Sequence, residues 1–186
     1  MTIYIALLRG INVGGKNKIK MADLKRMFEE MGLSRVQTYI QSGNVLFESN
    51  EGEEALSKRL EQEIKHVFGL SISVILRAAT ELEQIVVNCP FTEAEIAEAE
   101  ASGEGESLYV ALLPQSPSEE GIQRLSTYQN ENEQFRINGR DIYLLFQNSV
   151  RDSKLAAQVA KLNVPATVRN WKTTNKLVTL SKAMEE

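Results

Sequence analysis

Residues 9–20 combine glycines and cations in a pattern that suits the binding of an anion. This stretch reads RGINVGGKNKIK, with three glycines and four Lys or Arg, and it follows an apolar run at residues 3–8. Glycines let the backbone approach a ligand, and the N-terminus of the helix that follows adds positive potential. We therefore predict an anion site in which cations neutralise charge, glycines cradle the anion and an amide selects the ligand. The predicted residues are Arg9, Asn12, Gly14, Gly15 and Lys16.

The same loop misses the P-loop pattern, GxxxxGKS or GxxxxGKT, by one residue. Gly10, Gly15 and Lys16 fit this pattern, but Asn17 stands in place of the hydroxyl residue that binds Mg²⁺, and an amide is no equivalent. The helical pattern begins only at Met21, whereas a P-loop helix begins at the lysine. Phosphoryl transfer by this mechanism is therefore excluded. Two interpretations stay open: anion binding without hydrolysis, and a tight crossover whose lysines are merely solvated.

Two further polar stretches carry candidate binding residues. Residues 41–44, QSGN, read as a turn whose side chains present donors and acceptors at one edge of a sheet. Residues 168–176 hold the only tryptophan between cations and small polar residues, where a strand ends and a capped helix begins. The tryptophan suits stacking on a base or sugar, or locking the last helix onto a sheet. The predicted residues are Gln41, Ser42, Asn44, Arg169, Asn170 and Trp171.

We predict no catalytic residue, cofactor or metal ligand. Ser42 does not lie in a GxSxG pattern, and the only histidine, His66, falls on the expected exposed flank of a helix. With Cys89 as the single cysteine, the chain has no internal disulfide and no Cys/His zinc cage. The motifs supply cations and amides without an acid–base pair.

Charge is distributed unevenly along the chain, whose net charge is −4. Residues 9–26 hold six Lys or Arg against one acid and residues 151–182 hold seven against one, whereas residues 48–133 hold eighteen acids against five bases. The overall acidity disfavours a long nucleic-acid footprint, so the expected partner is a phosphate-bearing small molecule or a short nucleic acid. No apolar run reaches the roughly 18 residues of a membrane span. We expect a cytoplasmic protein without a membrane partner, and the oligomeric state stays open.

The positions of apolar residues predict two similar halves. Strand and helix patterns over residues 1–78 follow the order β-α-β-β-α-β, which is the split unit of ferredoxin-like folds. Residues 79–105 predict an acidic helical connector that ends in the linker 102–105. Residues 106–186 predict a second βαββαβ unit, with a hairpin at Asn138-Gly139, and a final helix. The predicted fold class is α+β.

Three of these stretches resemble the signature of a known bacterial family. Residues 7–15 (LLRGINVGG), 38–45 (TYIQSGNV) and 167–171 (TVRNW) are similar, in the same order, to the domain of unknown function 1697 family, and the likeness runs nearly end to end. This resemblance implies an α+β protein of bacterial type without an established activity, cofactor or partner. It also suggests that the three motifs belong to one feature.

Three hypotheses for function follow. The first is a non-catalytic protein that binds a phosphate-bearing ligand, either a nucleotide or a short single-stranded nucleic acid. The second is an enzyme that acts on a small anionic substrate in the same cleft, and the third is a protein-interaction module whose loops are purely structural.

Overall fold

The structure is a computed structural model that describes residues 1–103, 105–148 and 150–186. The chain forms two compact units: unit 1 comprises Met1–Gln84 and Lys176–Glu186, and unit 2 comprises Ile85–Asn175. Each contains one four-stranded sheet. Glu104, in the predicted linker, lies outside the described residues.

Unit 1 has the predicted order of elements. It contains strands β1 (Thr2–Leu8), β2 (Ser34–Tyr39), β3 (Asn44–Ser49) and β4 (Val74–Ala78), with helix α1 (Met21–Glu30) after β1 and helix α2 (Glu53–Phe68) after β3. The strands pair in the order β2-β3-β1-β4, and every neighbouring pair is antiparallel. Each helical crossover thus joins two parallel strands that are separated by a third, which is the ferredoxin-like arrangement.

Unit 2 repeats this topology. It contains β5 (Leu108–Leu112), β6 (Glu133–Asn138), β7 (Asp141–Phe146) and β8 (Thr167–Asn170), with α5 (Glu119–Ser126) and α6 (Lys154–Val159) as crossovers. The antiparallel order is β6-β7-β5-β8. The remaining helices are α3 (Ala79–Val87), α4 (Glu93–Ser102) and α7 (Trp171–Met184). The prediction of an α+β chain with two ferredoxin-like units is confirmed.

A repeated strand sequence accompanies the repeated topology. The sequence IYIALL of β1 recurs as LYVALL from Leu108. The register agrees as well, because Ile5 pairs with Arg77 on β4 just as Val110 pairs with Arg169 on β8. The two arginines therefore occupy equivalent positions, and both are buried.

The core of unit 1 holds both ends of the predicted anion loop. Alternate residues of β1 pack toward the two helices, as the period of a strand requires. Ile11 and Ile19 join this core and are only 1% and 3% exposed. The residues between them, from Val13 to Lys18, are exposed. The middle of the loop is therefore exposed to solvent, and a buried apolar residue near each end fixes the loop to the core.

Two details of α2 differ from the sequence pattern. Asn50 and Glu53 predict a capping box, but the N-cap is Gly52, which has no side-chain hydrogen bond to the helix. The apolar spacing of α2 also predicts Val67 in one buried stripe with Leu60 and Ile64, but Val67 is 48% exposed. The buried positions advance four residues at a time to Ile64, and this spacing rotates the stripe away from Val67.

The predicted hairpin of unit 2 forms with a different turn. Asn138 pairs with Asp141, so the two central residues are Gly139 and Arg140 rather than Asn138 and Gly139. The φ angle of Gly139 is +62°, which suits the first central position of a type II′ turn.

Among the described residues, no helix combines the length and apolar content that crossing a membrane would need.

Candidate functional site

The loop between β1 and α1 folds into a tight hairpin. The N–H of Lys16 donates to the carbonyl of Val13 over 2.9 Å, and the N–H of Asn12 donates to the carbonyl of Asn17 over 3.1 Å. Gly14 and Gly15 form the tip, with φ angles of +57° and +74° that match a type I′ turn. The two glycines therefore build a turn, and the helix begins separately at Met21, unlike the helix of a P-loop.

The side chain of Asn12 holds this loop together. Its Oδ1 accepts the N–H of Ile19 over 2.9 Å, and its Nδ2 donates to the carbonyl of Ile19 over 3.0 Å. The same Nδ2 donates to the carbonyl of Gln41 over 2.8 Å. The first two sequence motifs are thus neighbours in unit 1, and Asn12 is the link between them. Its predicted role in selecting a ligand stays a prediction.

The turn at residues 40–43 presents Gln41. Asn44 is fully buried, and its Nδ2 donates to the carbonyl of Tyr39 over 3.0 Å and to Oγ of Ser42 over 2.9 Å. The carbonyl of Gly43 accepts the N–H of Leu8 over 2.9 Å, which seats the turn on the end of β1. Among the described residues, the side-chain amide of exposed Gln41 has no hydrogen-bond partner, so it is available to a ligand.

A cleft of about 710 Å³ lies between this loop and this turn. Its volume is in the usual range for a small-molecule site. The residues that line it come from the loop, the first turn of α1, the 40–43 turn and the end of α2. They are Asn12, Gly15, Lys18, Ile19, Lys20, Asp23, Gln41 and Phe68.

The polar side of the cleft is mainly cationic. Lys18 and Lys20 are exposed, and within the described parts of the chain neither side chain makes an ion pair or a hydrogen bond. Lys20 is also the N-cap of α1 and makes no side-chain capping bond, so the first N–H groups of the helix add positive potential. Asp23 is the one carboxylate of the described lining, and its ion pair with Arg26 is long, at 3.6 Å.

The lining of the cleft also contains apolar residues. Ile19 is buried in the core of unit 1, and Phe68, the last residue of α2, is half-buried against the same core. A site with an apolar wall and a few convergent polar groups is the usual form of a small-molecule pocket. This cleft therefore suits a ligand that carries both an anionic group and an apolar group.

The structure brings part of the predicted site into the cleft and adds residues that the prediction did not include. Asn12, Gly15 and Gln41 are in its described lining. Of the other predicted residues in unit 1, Arg9, Gly14 and Lys16 lie in the 9–20 loop, Ser42 lies in the 40–43 turn and Asn44 is the first residue of β3. The additions are Lys18, Ile19, Lys20, Asp23 and Phe68. Lys18 and Lys20 belong to the basic loop, and their positions on either side of the buried Ile19 are the sequence feature that could have identified them as lining residues.

Unit 2 shows that the fold does not require such a loop. The connection from β1 to α1 takes twelve residues, 9–20, whereas the equivalent connection from β5 to α5 takes six, 113–118. The shorter connection reads LPQSPS and contains no cation. The same topology forms in unit 2 with a connection half as long, so the fold does not account for the additional residues and lysines of unit 1. Several of these residues line the cleft.

The third motif lies in unit 2. Arg169 is 8% exposed, and its Nη1 donates to Oγ1 of Thr167 over 2.7 Å and to the carbonyl of Val168 over 3.0 Å. Burial lowers the pKa of Arg169 to about 10, so the guanidinium stays charged at neutral pH. The equivalent Arg77 donates to its own preceding carbonyl in the same way, which favours a role in the fold. The predicted part of Arg169 in ligand binding stays a prediction.

Trp171 and Asn170 also have partners within unit 2. The Trp171 ring is half-buried, with its centroid 6.4 Å from that of Tyr143. Oδ1 of Asn170 accepts the N–H of Thr173 over 2.8 Å. The sequence offers Asn170 or Thr173 as the cap of α7, and the structure shows that Asn170 is the cap. These contacts agree with the interpretation in which the tryptophan holds the last helix, and stacking on a ligand stays a prediction.

We expect Asn170→Ala to destabilise the protein by about 1 kcal/mol, because the substitution leaves the N–H of Thr173 without its cap. Asn170→Asp keeps an acceptor at the helix N-terminus and is expected to cost less. Urea unfolding of the two variants measures the difference. Equal losses of stability would contradict a capping role.

The described lining of the cleft includes neither Cys89 nor His66. Cys89 is half-buried, and desolvation raises the pKa of its thiol, which disfavours the reactive thiolate. In the parts of the chain that the structure describes, no three His, Cys, Asp or Glu residues are arranged to hold a metal ion. His66 is exposed on α2, as predicted.

Comparison with known proteins identifies relatives whose function is not described. A family model described as "Protein of unknown function (DUF1697)" matches residues 1–143. Among solved structures, the chain is similar to the conserved bacterial protein SP0830 from Streptococcus pneumoniae, with 25% sequence identity and a TM-score of 0.72. That match covers 97% of this chain and 98% of the other. No curated protein matches the chain.

Proposed function

The chain belongs to the DUF1697 family, whose description names no activity, and we propose from the geometry of unit 1 that it is a cytoplasmic protein that binds a phosphate-bearing small molecule. The observation that carries the proposal is the cleft itself, where Lys18 and Lys20 converge with an uncapped helix N-terminus. Phosphate oxygens accept hydrogen bonds from ammonium groups and from backbone N–H groups at helix N-termini. Gln41 adds an amide donor at the rim.

The construction of the loop supports this proposal. Ile11 and Ile19 anchor it in the core, and Asn12 ties it to the 40–43 turn, so the lysines extend from a backbone that is held at both ends. A preorganised site loses less conformational entropy when it binds a ligand. The six-residue connection of unit 2 further supports a functional origin for the longer loop.

The test is a titration of the full chain with inorganic phosphate, ribose 5-phosphate, nucleotides and a short single-stranded oligonucleotide. We expect at least one of these compounds to raise the melting temperature, because a ligand that binds only the folded state stabilises it. The double variant Lys18→Ala/Lys20→Ala is expected to weaken that binding about tenfold or more. Product analysis of the same mixtures would detect turnover and so favour the alternative of an enzyme.

The matched control is Lys58→Ala/Lys161→Ala, which removes two exposed lysines outside the cleft. Lys58 pairs with Glu54 on the surface of α2, and such pairs contribute little to stability. We expect this control to bind like the unaltered chain. Equal weakening in both double variants would show that net charge, rather than the cleft, is responsible and would contradict the proposal.

A further inference from the structure

We propose that the ligand of this cleft is a nucleoside monophosphate, held with its phosphate at Lys18 and Lys20 and its planar base against Phe68. This inference rests on the proposed function and narrows it to one substrate class. The inference shares the cleft and its two lysines with the proposed function, whereas Phe68 and Asp23 belong to the inference alone because binding of phosphate by itself does not need them.

The first step is the position of Phe68. Phe68 lines the cleft and is half-buried against the core of unit 1, so the core holds this residue beside the cleft. Other aromatic rings of this core are paired; for example, the ring centroids of Phe28 and Phe47 are 5.4 Å apart. Within the described residues, no ring or cation is paired with Phe68. A planar nucleobase has the right shape to stack on the ring of Phe68.

The second step is the charge of the cleft. A phosphate monoester carries nearly two negative charges at neutral pH, and Lys18 and Lys20 match them. A triphosphate would bring further negative charge into a lining that also contains the carboxylate of Asp23. Like charges at short range repel, so the balance favours a single phosphate.

The third step is the role that remains for Asp23. Its side chain is 42% exposed, and its ion pair with Arg26 involves an exposed partner at 3.6 Å. A carboxylate only accepts hydrogen bonds, and it is of no use to a phosphate. The ring N–H, amino and hydroxyl groups of a nucleoside are donors that this acceptor can bind. Asp23 therefore selects ligands in which donors accompany the phosphate.

The experiment compares calorimetric affinities of the full chain for AMP, GMP, CMP, UMP, ribose 5-phosphate and ATP. At least one monophosphate is expected to bind about tenfold more tightly than ribose 5-phosphate, because stacking on an aromatic ring contributes that much or more. Phe68→Leu should remove this preference while affinity for ribose 5-phosphate stays unchanged, and Phe68→Tyr should retain it. Asp23→Asn should narrow the gap between ATP and the monophosphate.

The matched control is Phe135→Leu, since Phe135 is likewise a half-buried ring against a core, but in unit 2. It should leave every affinity unchanged. Equal affinity for ribose 5-phosphate and all four monophosphates, tighter binding of ATP, or retention of the preference in Phe68→Leu would overturn this inference while leaving phosphate binding in place. Absence of binding by every compound of this series, together with absence of binding by inorganic phosphate in the titration described above, would overturn the proposed function as well.

Discussion

Gly43→Ala is expected to destabilise the protein by about 3 kcal/mol, because the position tolerates neither the backbone strain nor the volume of a methyl group. The φ angle of Gly43 is +86°, a conformation that costs an L-residue roughly 1–2 kcal/mol. A Cβ atom there would lie 2.7 Å from Cδ1 of Ile11 and 2.9 Å from Cβ of Leu8. Both neighbours are buried, so neither side chain can move without disturbing the core.

The matched control is Gly32→Ala. Gly32 has the same φ angle of +86°, but a Cβ atom built on it meets nothing within 4 Å. Its substitution is expected to cost about 1 kcal/mol from backbone strain alone. Chemical denaturation of both variants separates the steric part from the conformational part. Equal losses of stability would contradict close packing of the 40–43 turn on β1.

Asn12→Ala is expected to destabilise the protein by about 2–3 kcal/mol and to abolish ligand binding at the cleft. The substitution removes three hydrogen bonds and leaves both backbone groups of the buried Ile19 without the Asn12 amide. The link to Gln41 is lost at the same time. The 9–20 loop would then lose its attachment to the turn, and the lysines would lose their fixed positions.

Asn17→Ala serves as the control within the same loop. Asn17 also has a positive φ angle, +50°, but its exposed side chain makes one hydrogen bond in this structure, from Nδ2 to the carbonyl of Gly10 over 3.1 Å. We expect a loss of about 1 kcal/mol and nearly unchanged binding. Unfolding measurements combined with phosphate titrations test both outcomes. A variant of Asn12 that binds normally would show that the loop does not depend on this amide.

The repeated topology and some helix N-termini were predictable because local physical rules decide them. Thr92 and Glu95 form the capping box that their spacing indicates. The sequence offers Asp152 or Ser153 as the start of α6, and Ser153 is the cap, accepting the N–H of Ala156. The failed cap at Asn50 has the opposite cause: Gly52, two residues later, takes the N-cap position of α2. Which of two neighbouring residues becomes the N-cap depends on how the helix packs against the rest of the protein, and local sequence rules do not include that packing.

The amino-acid sequence by itself determined the α+β class, the two βαββαβ units and the location of a basic glycine-rich loop, because strand period, helix period and turn residues act over short distances. Only the tertiary structure decided which residues meet. Lys18 and Lys20 lie in the 9–20 loop and Phe68 ends α2, and the cleft brings these two segments together because Ile19 and α2 pack into one core. Asn12 and Asn44 look like ligand-selecting amides in the sequence. Folding engages both Nδ2 groups with the protein's own backbone, because polar groups that are removed from water need partners.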